Sequence, residues 1–453
     1  MTTVIDALAA GLASIPVDTP LCVGLSGGLD SVVLLHGLAQ LAPENPMRAL
    51  HVNHQLSRSA DQWQQRCAGY CASLKVDFTA IEVDVARALK KPGFGVEATA
   101  RELRYQAFAT SLGEAELLLL AHHLDDQLET LLLRLMRGAG VAGLSAIPAG
   151  RDVGSGRLLR PLLGISREQL LDYGLSNGLA WVEDDSNSDN SFDRNFCRHE
   201  VLPVLAKRWP NYRESWSKSL QLIAEAAEIV DELAGRDVDV ATVGHSSELS
   251  LPHIRTLSEP RQRSALRHWL SRIEAPELGW QALNDLIGKL KAHEGSGQTL
   301  SVTPQFQLVA YRHRLHALHR RAKPLQPPNN WSMASAETFV LPDNGELILH
   351  LNGGFSKCLA DLRDVSVRYR QGGETCKIKG RPTKSLKQLF QEAAVPPWLR
   401  DRVPLIYCGD ELMCIPTIGA NEAFCLPKQD ETLDVTVIWR QPVFNWFVTG
   451  KSD

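Results

Sequence analysis

The stretch at residues 21–42, LCVGLSGGLDSVVLLHGLAQLA, constrains the fold more than any other. A short apolar run, a turn with two adjacent glycines and a segment of helical apolar spacing follow without a break. The turn therefore joins a buried strand to the N-terminus of a helix. The rhythm recurs in MRALHVNH, SADQWQQRCAGYCASLK, DFTAIEVDV, a helical period from Val96 into LRYQAFATSL, and AELLLLAHH. Short apolar runs alternating with helical periods predict a doubly wound parallel α/β sheet with helical crossovers. In GISREQLLDYGLSNGL, Ser166 and Gln169 have capping-box spacing and a glycine closes the segment, which predicts a helix with both ends marked. VIDALAAGLASI reads as an amphipathic helix docked on the same domain, which is placed at residues 1–208.

With 453 residues, 44% hydrophobic and 22% charged, the chain is too long for one core. From Tyr212 it turns to long helices, YRESWSKSLQLIAEAAEIVDELAG, PRQRSALRHWLSRI and WQALNDLIGKLKA, then to a strand pair in SGQTLSVTPQFQLVAYRHRLHALHR. These segments predict a mainly helical domain at residues 209–323. The proline-rich KPLQPPNNW marks a linker, placed at residues 324–333. Beyond it, ELILHLN, VSVRYR, VPLIYCGDELMCIPTIGA and LDVTVIW surround one helix at TKSLKQLFQEA, a small α+β domain at residues 334–453. No apolar run approaches a membrane span. Nine cysteines without a paired framework, and no stretch patterned as a signal peptide, give the expectation of reduced thiols in the cytoplasm. Nothing calls for an obligate protein partner. Net charge is only −4, so local basic clusters must carry any binding of nucleic acid.

A turn at a helix N-terminus points free backbone N–H groups and a partial positive charge outward, which makes an anion cradle. Gly27 and Gly28 let the backbone approach a ligand, and the hydroxyls of Ser26 and Ser31 can donate to phosphate oxygens. The pattern is neither G-x-x-x-x-G-K-[ST] nor G-x-G-x-x-G, since no lysine follows and the glycines are adjacent. Asp30 reads either as a first-turn acid stabilising the helix dipole or as a ligand of a divalent cation that bridges it to phosphate. The second reading points to pyrophosphate carried with Mg2+.

In a doubly wound sheet, ligands lie beyond the carboxyl ends of the strands, so residues 26–31, 51–54 and 122–126 converge on one crevice. Asp125 and Asp126 each share a helical face with Glu129, and Glu129 reads equally as a solvated acid or a catalytic one. The paired histidines lack an H-E-x-x-H pattern or a cysteine set, which argues against zinc. Asp185, Asn187 and Asp189 imitate a calcium loop, but Asn190 stands where glycine belongs and Phe196 where the closing glutamate belongs.

S-G-G-x-D-S after a strand resembles the PP-loop of the ATP pyrophosphatases, which split ATP between its α and β phosphates. HVNHQLSRSAD, EATARELRYQAF, LLLLAHHLDDQLETLLLRLMRGAGVAGLSAI, RPLL and WVEDDSNSDNSFDRNFCRHEVLPVL stand in the order and spacing of bacterial tRNA(Ile)-lysidine synthetases. The resemblance is dense over the first domain and looser beyond it, reaching GRPTKSLKQLFQEAAVPPWLRDRVPLIYCGDEL. It implies an enzyme that uses ATP to adenylate the C2 oxygen of the first anticodon cytidine of a tRNA(Ile) bearing CAU. Free L-lysine then displaces AMP to give lysidine, and the anticodon reads AUA instead of AUG. It implies further that Ser26, Gly27, Gly28, Leu29, Asp30 and Ser31 hold pyrophosphate and Mg2+, with Asp30 at the metal. Arg104 would reach the α-phosphate, and His122 and Asp126 would sit at lysine and the adenylate. Arg194 and Arg198 resemble the family's substrate-side arginines, with ion pairs to nearby aspartates as the alternative. The family commonly has arginine directly after the leucine of H-V-N-H-x-L-R. Here Ser57 precedes Arg58, so Arg58 receives no role.

On the tRNA side stand AYRHRLHALHRRAK and the basic residues Arg368, Arg370, Lys377, Lys379, Arg381, Lys384 and Lys387, which read as solvated faces or as an RNA footprint. Lys379, Arg381 and Lys384 are the tRNA-contact candidates. Trp398, beside Arg400 and Arg402, reads as a core residue of the last domain rather than a base-stacking one. A cytidine thiolation enzyme is the alternative within the superfamily. It would need clustered cysteines, and here Cys67 and Cys71 are the nearest pair, with no C-x-x-C. A nucleotide-sensing module on the same fold would have no need of Asp30 or the acids of AHHLDDQ.

Overall fold

The computed structural model describes residues 2–42, 44–57, 59–89, 95–183, 189–242, 244, 247–292, 298–302, 306–319, 338–342, 344–352, 365–378, 380–416, 418–424 and 434–440. Arg58, Asp185, Asn187, Lys379 and the linker at 324–333 lie outside them. The chain divides into two compact units, Met1–Ile229 and Val230–Asp453.

The first unit opens with α1 (Val4–Leu12), β1 (Leu21–Gly24), α2 (Leu29–Leu41), β2 (Met47–Asn53), α3 (Ala60–Leu74) and β3 (Asp77–Glu82). It continues with α4 (Val85–Ala88), α5 (Val96–Ser111), β4 (Leu117–Leu119), α6 (Leu124–Met136) and α7 (Val141–Leu144). Next come β5 (Gly150–Val153), β6 (Gly156–Leu159), α8 (Arg167–Ser176), α9 (Asp193–Phe196), a π-helical turn at Cys197–Val201, α10 (Leu202–Arg208) and the start of α11 (Tyr212–Ala241). The strand order is β3-β2-β1-β4-β6-β5. All pairings are parallel except β5 with β6, so the expected parallel sheet carries an antiparallel edge.

Alternation along the strands fills both faces. Leu21, Val23, Leu117 and Leu119 pack with α1, α2, α3 and α8, whereas Cys22, Leu118 and Leu120 pack with Phe108 of α5 and Leu112 just beyond it. Helix α2 is buried on nearly every side, which explains why LDSVVLLHGLAQL has almost no polar face. The Ser166 and Gln169 box forms in both directions at the start of α8. Thr3 and Asp6 form another at α1.

The β5–β6 hairpin carries Arg160 to the end of the sheet, and its turn depends on Gly154. That residue has φ +58°, and a Cβ on it would lie 2.3 Å from the Ala109 carbonyl oxygen of α5. Gly154→Ala is expected to cost about 1–3 kcal/mol for the left-handed backbone alone, with the clash adding to it. The check is thermal unfolding of the purified variant, and an unchanged Tm would contradict this account of the turn.

In the second unit, helices Leu251–Thr256, Glu259–Arg272 and Trp280–Ala292 pack around the fully buried Trp269. They cover an antiparallel sheet ordered Glu248–Ser250, Arg314–His319, Phe306–Tyr311, Gln298–Val302, four strands where the sequence suggested a pair. Further along are a three-stranded sheet (Thr338–Leu341, Gly345–Asn352, Asp434–Arg440) and a four-stranded one (Val365–Arg368, Leu405–Cys408, Glu411–Ile415, Gly419–Ala420). The expected helix is Leu386–Glu392, capped by Ser385 with Gln388, and it buries Phe390 among these strands. Trp398 is not in that core. It lies half-buried with its ring edge-on to Tyr311 at 5.7 Å and tilted on His316 at 4.7 Å, because the sheet of the preceding segment offers an aromatic surface. Among the described residues no helix is long and apolar enough to cross a membrane.

Candidate active site

Strand β1 is the turning point of the sheet, since β2 and β3 lie on one side of it and β4 on the other. The loops after β1 and β4 therefore open into the crevice where such sheets hold ligands. The first loop is shaped by Gly27, whose φ is +88° and whose carbonyl accepts from Val182 N at 2.9 Å. Ser31 organises the turn from within. Its Oγ accepts from the backbone N–H of Ser26 and of Gly27, each at 3.2 Å, and donates to the Gly28 carbonyl at 3.0 Å. Only 4% exposed, Ser31 is less a surface hydroxyl than the peg that holds the loop. Ser26 is exposed. No side chain caps α2, which leaves its first-turn amides for a ligand. The Leu29 side chain is in the core, so this residue can face a ligand only through its backbone. His51 Nδ1 donates to the Leu25 carbonyl, 2.8 Å away, tying β2 to the loop. Burial, with Arg104 and His51 adding to it, pushes His54 down to about 4.

The second loop starts α6. His123 is its N-cap, in a capping box in which Asp126 N donates to His123 Nδ1 and His123 N to Asp126 Oδ2. Its other nitrogen, Nε2, lies 3.6 Å from Asp30 Oδ2 and 3.6 Å from Asp126 Oδ2. The two acids read from the sequence are thus joined by a histidine that the sequence reading passed over. Burial opposes its charge, but the Asp30, Asp126 and Asp125 carboxylates raise its pKa overall. Asp30 Oδ1 is buried without a hydrogen-bond partner among the described residues.

The three acids of α6 separate. Asp125 turns away from the crevice, accepting from Arg213 Nε at 2.9 Å and from Arg167 N at 2.8 Å, and fixes α8 and α11 to α6. Asp126 lies near Arg194 at 4.0 Å and Arg198 at 3.8 Å. Burial would raise its pKa, but His123, Arg194 and His122 bring it below the ordinary carboxylate value. Glu129 is fully buried, not solvated. It accepts from Arg194 Nε at 3.0 Å and from Arg198 at 2.6 and 3.1 Å, so the main partner of both arginines is a glutamate rather than the nearby aspartates.

Beside His122 gathers a cluster of positive charge. Arg101, Arg104 and Arg151 stand 5.5, 5.9 and 4.3 Å from the Tyr105 ring centroid, and Arg160 donates to the Tyr105 hydroxyl at 3.1 Å. None of the four arginines has an ion pair among the described residues, and Arg104 Nε is buried without a partner. Burial alone would raise the Tyr105 pKa, yet Arg160, Arg101 and Arg104 lower it overall. A cationic cluster of this kind, with Arg160 buried and Arg101 and Arg151 exposed, suits a polyanion.

The nearest cysteine pair, Cys67 and Cys71 of α3, is not poised as thiolate. Burial pushes Cys67 up to about 12 and Cys71 up to about 11, far from a thiolate at neutral pH. Among the described residues no group of three or more His, Cys, Asp and Glu is arranged to hold a metal by itself. In the second unit, Lys384 pairs with Glu392, Lys377 with Glu422, Arg370 with Asp401 and Arg368 with Asp410. Arg381 is exposed and has no ion pair among the described residues.

Comparison with known proteins gives three family matches along the chain: a PP-loop domain at residues 3–205, a TilS substrate binding domain at 249–316 and a TilS substrate C-terminal domain at 365–439. The chain is 41% identical over 416 residues to a tRNA(Ile)-lysidine synthase of Coxiella burnetii, covering 89% of this chain and 90% of that one. It is 41% identical over 420 residues to the Pseudomonas syringae pv. tomato protein of the same name, covering 87% and 88%. Among solved structures, a U34-tRNA thiolase from Methanococcus maripaludis aligns with TM-score 0.41 and 15% identity, over 49% of this chain and 77% of that one.

Proposed function

Because the chain belongs to the tRNA(Ile)-lysidine synthase family, we propose that it joins free L-lysine to C2 of the first anticodon cytidine of a tRNA(Ile) bearing CAU. ATP is the energy source, split to AMP and pyrophosphate, and the anticodon then reads AUA instead of AUG. The observation that supports this most is the meeting of Asp30, His123 and Asp126 at the sheet's switch point beside an unpaired arginine cluster.

In the first step the cytidine C2 oxygen attacks the α-phosphorus of ATP. A new P–O bond forms, and the bond to pyrophosphate breaks. Backbone N–H groups of residues 26–31 and the α2 N-terminus receive the pyrophosphate. Arg104 faces the α-phosphate, where its unpartnered Nε meets the charge that develops. Mg2+ fits this loop, since Asp30 Oδ1 is buried with no protein donor among the described residues. Asp30 would hold the ion, which supplies neutralisation between that carboxylate and pyrophosphate.

In the second step the lysine ammonium loses a proton, its nitrogen attacks C2, the C2–O bond breaks, and AMP leaves with the oxygen. The nitrogen then sheds a second proton to become the neutral C2 substituent. Asp126 holds the ammonium and receives a proton, and Arg194 and Arg198 stand on the substrate side, oriented by Glu129.

The test is incubation with ATP, radiolabelled lysine and an unmodified tRNA(Ile) transcript bearing CAU, followed by nucleoside analysis. Labelled lysidine with matching AMP and pyrophosphate is the expected result. ATP turnover with no labelled nucleoside would overturn the reading.

The second unit's basic tail is assigned to tRNA phosphates and not to the chemistry. Neutralising Lys379, Arg381 and Lys384 together is expected to weaken tRNA binding. Because Lys384 is already paired with Glu392, the salt dependence should flatten by about 1 to 2 units of slope rather than the nearly 3 that three free contacts would give. Lysine affinity should hold. Identical slopes across a salt series would remove this surface from the tRNA footprint.

A further inference from the structure

Arg160 is 4% exposed and reaches the crevice from the end of β6. Each of its three nitrogens donates to a neutral acceptor. Nε donates to His122 Nδ1 at 3.2 Å, Nη1 to the Pro148 carbonyl at 2.7 Å and Nη2 to the Tyr105 hydroxyl at 3.1 Å. Its own backbone N–H donates to the Ala149 carbonyl, so the guanidinium sits on a fixed stem. A guanidinium can only donate and stays charged in proteins, and therefore the ring nitrogen it addresses must present a lone pair. A neutral imidazole with Nδ1 accepting carries its proton on Nε2.

We infer that Arg160 is a positioning residue that fixes His122 as the Nε2–H tautomer, making this histidine a hydrogen-bond donor in the crevice and not a proton acceptor. The inference rests on the reaction assigned above only in naming what receives that bond: an oxygen of the adenylated cytidine or its phosphate, both of which gain or carry negative charge. Both nitrogens of His122 are then committed, and removal of the lysine protons falls to carboxylate chemistry at Asp126. The surroundings agree. Asp126 of α6 is the one acid that favours charge on His122, against burial, Arg160, and Arg104 and Arg101 of α5, which together hold its pKa down to about 3. An imidazole kept neutral as an electrophile is a known solution where a carbonyl or phosphoryl oxygen must be polarised.

The first measurement needs no substrate: long-range proton–nitrogen correlation spectra of the His122 ring in the full-length protein, assigned by comparison with His122→Gln. The expected result is a proton on Nε2 and no titration from about pH 5 to about pH 8. A proton on Nδ1, or titration near the ordinary value of about 6.5, overturns the inference. In Arg160→Gln the ring is expected to titrate again in that range or to show mixed tautomers. If that variant does not fold, Tyr105→Phe, which frees one of the three anchors, should shift the tautomer balance in the same direction. A second readout uses the reaction. His122→Gln, whose amide still offers an N–H, should retain lysidine formation within about tenfold of wild type, whereas His122→Ala should lose about 10²-fold. Equal loss in both variants would make His122 a proton acceptor and reject the donor role. Absence of lysidine from the wild-type reaction would overturn the assigned reaction while leaving the tautomer result to stand or fall alone.

Discussion

Replacing Asp30 with alanine is expected to lower the release of AMP and pyrophosphate by about 10²–10³-fold while leaving the fold in place. The separation of the two effects follows from where the carboxylate sits. Its side chain is about a third exposed, its Oδ1 has no partner among the described residues, and its Oδ2 lies 3.6 Å from His123 Nε2. As a first-turn acid it complements the α2 dipole, which is worth roughly 0.3–1 kcal/mol. Loss of the exposed pairing adds little. The expected change in Tm is therefore small. In the reaction, by contrast, Asp30 is the group that would hold Mg2+ against pyrophosphate, and that neutralisation is needed as charge moves onto the leaving group. The check is AMP and pyrophosphate release with tRNA and lysine present, beside a thermal melt of the same preparation. Turnover at the wild-type rate would remove Asp30 from the metal and the chemistry. A cooperative loss of stability instead would make it a structural acid of α2.

Local pattern made much of this legible. The strand–turn–helix at residues 21–42, the box at Ser166 and Gln169 and the helix after Ser385 are decided by neighbours a few residues apart, and each forms as its spacing predicts. Partners fixed by the fold were not legible. Asp125 and Asp126 are adjacent in sequence with equal claims on the crevice, yet Asp125 turns to Arg213 because α11 begins there, 88 residues later. His123 is overlooked for a different reason. Histidine is not an ordinary helix cap, although its spacing to Asp126 is that of a capping box and was open to reading. Arg160 is invisible as a site residue in RPLL because its meaning comes from an antiparallel edge hairpin that helical and strand periods do not announce. Trp398 fails in the same way, since its neighbours Tyr311 and His316 belong to a sheet in the preceding segment.

The largest effect on stability is expected at Glu129. Its carboxylate is fully buried on α6, and it takes three hydrogen bonds from two arginines, Arg194 of α9 and Arg198 of the π-turn. Removing one partner of such a group leaves the other charges uncompensated, at about 3–5 kcal/mol for a fully buried pair. Here Arg194 and Arg198 keep about a quarter of their side-chain surface in solvent, so the lower end, about 3 kcal/mol, is the expectation for Glu129→Ala. For a unit of this size that corresponds to a fall in Tm of roughly 6–12 °C. Glu129→Gln keeps the volume and one acceptor oxygen, and should lose less. Both variants should also lose lysine transfer more than AMP formation. Released from Glu129, the arginines have Asp126 as their nearest acid, at 3.8 and 4.0 Å, and an Asp126 engaged by two guanidiniums is a poorer holder of ammonium and a weaker acceptor of its proton. The measurements are a thermal melt and the ratio of lysidine to AMP formed, taken well below the variant's own Tm. An unchanged melt would show that water satisfies the arginines without Glu129. An unchanged ratio in a destabilised variant would confine Glu129 to holding the fold and detach the arginine pair from the lysine step.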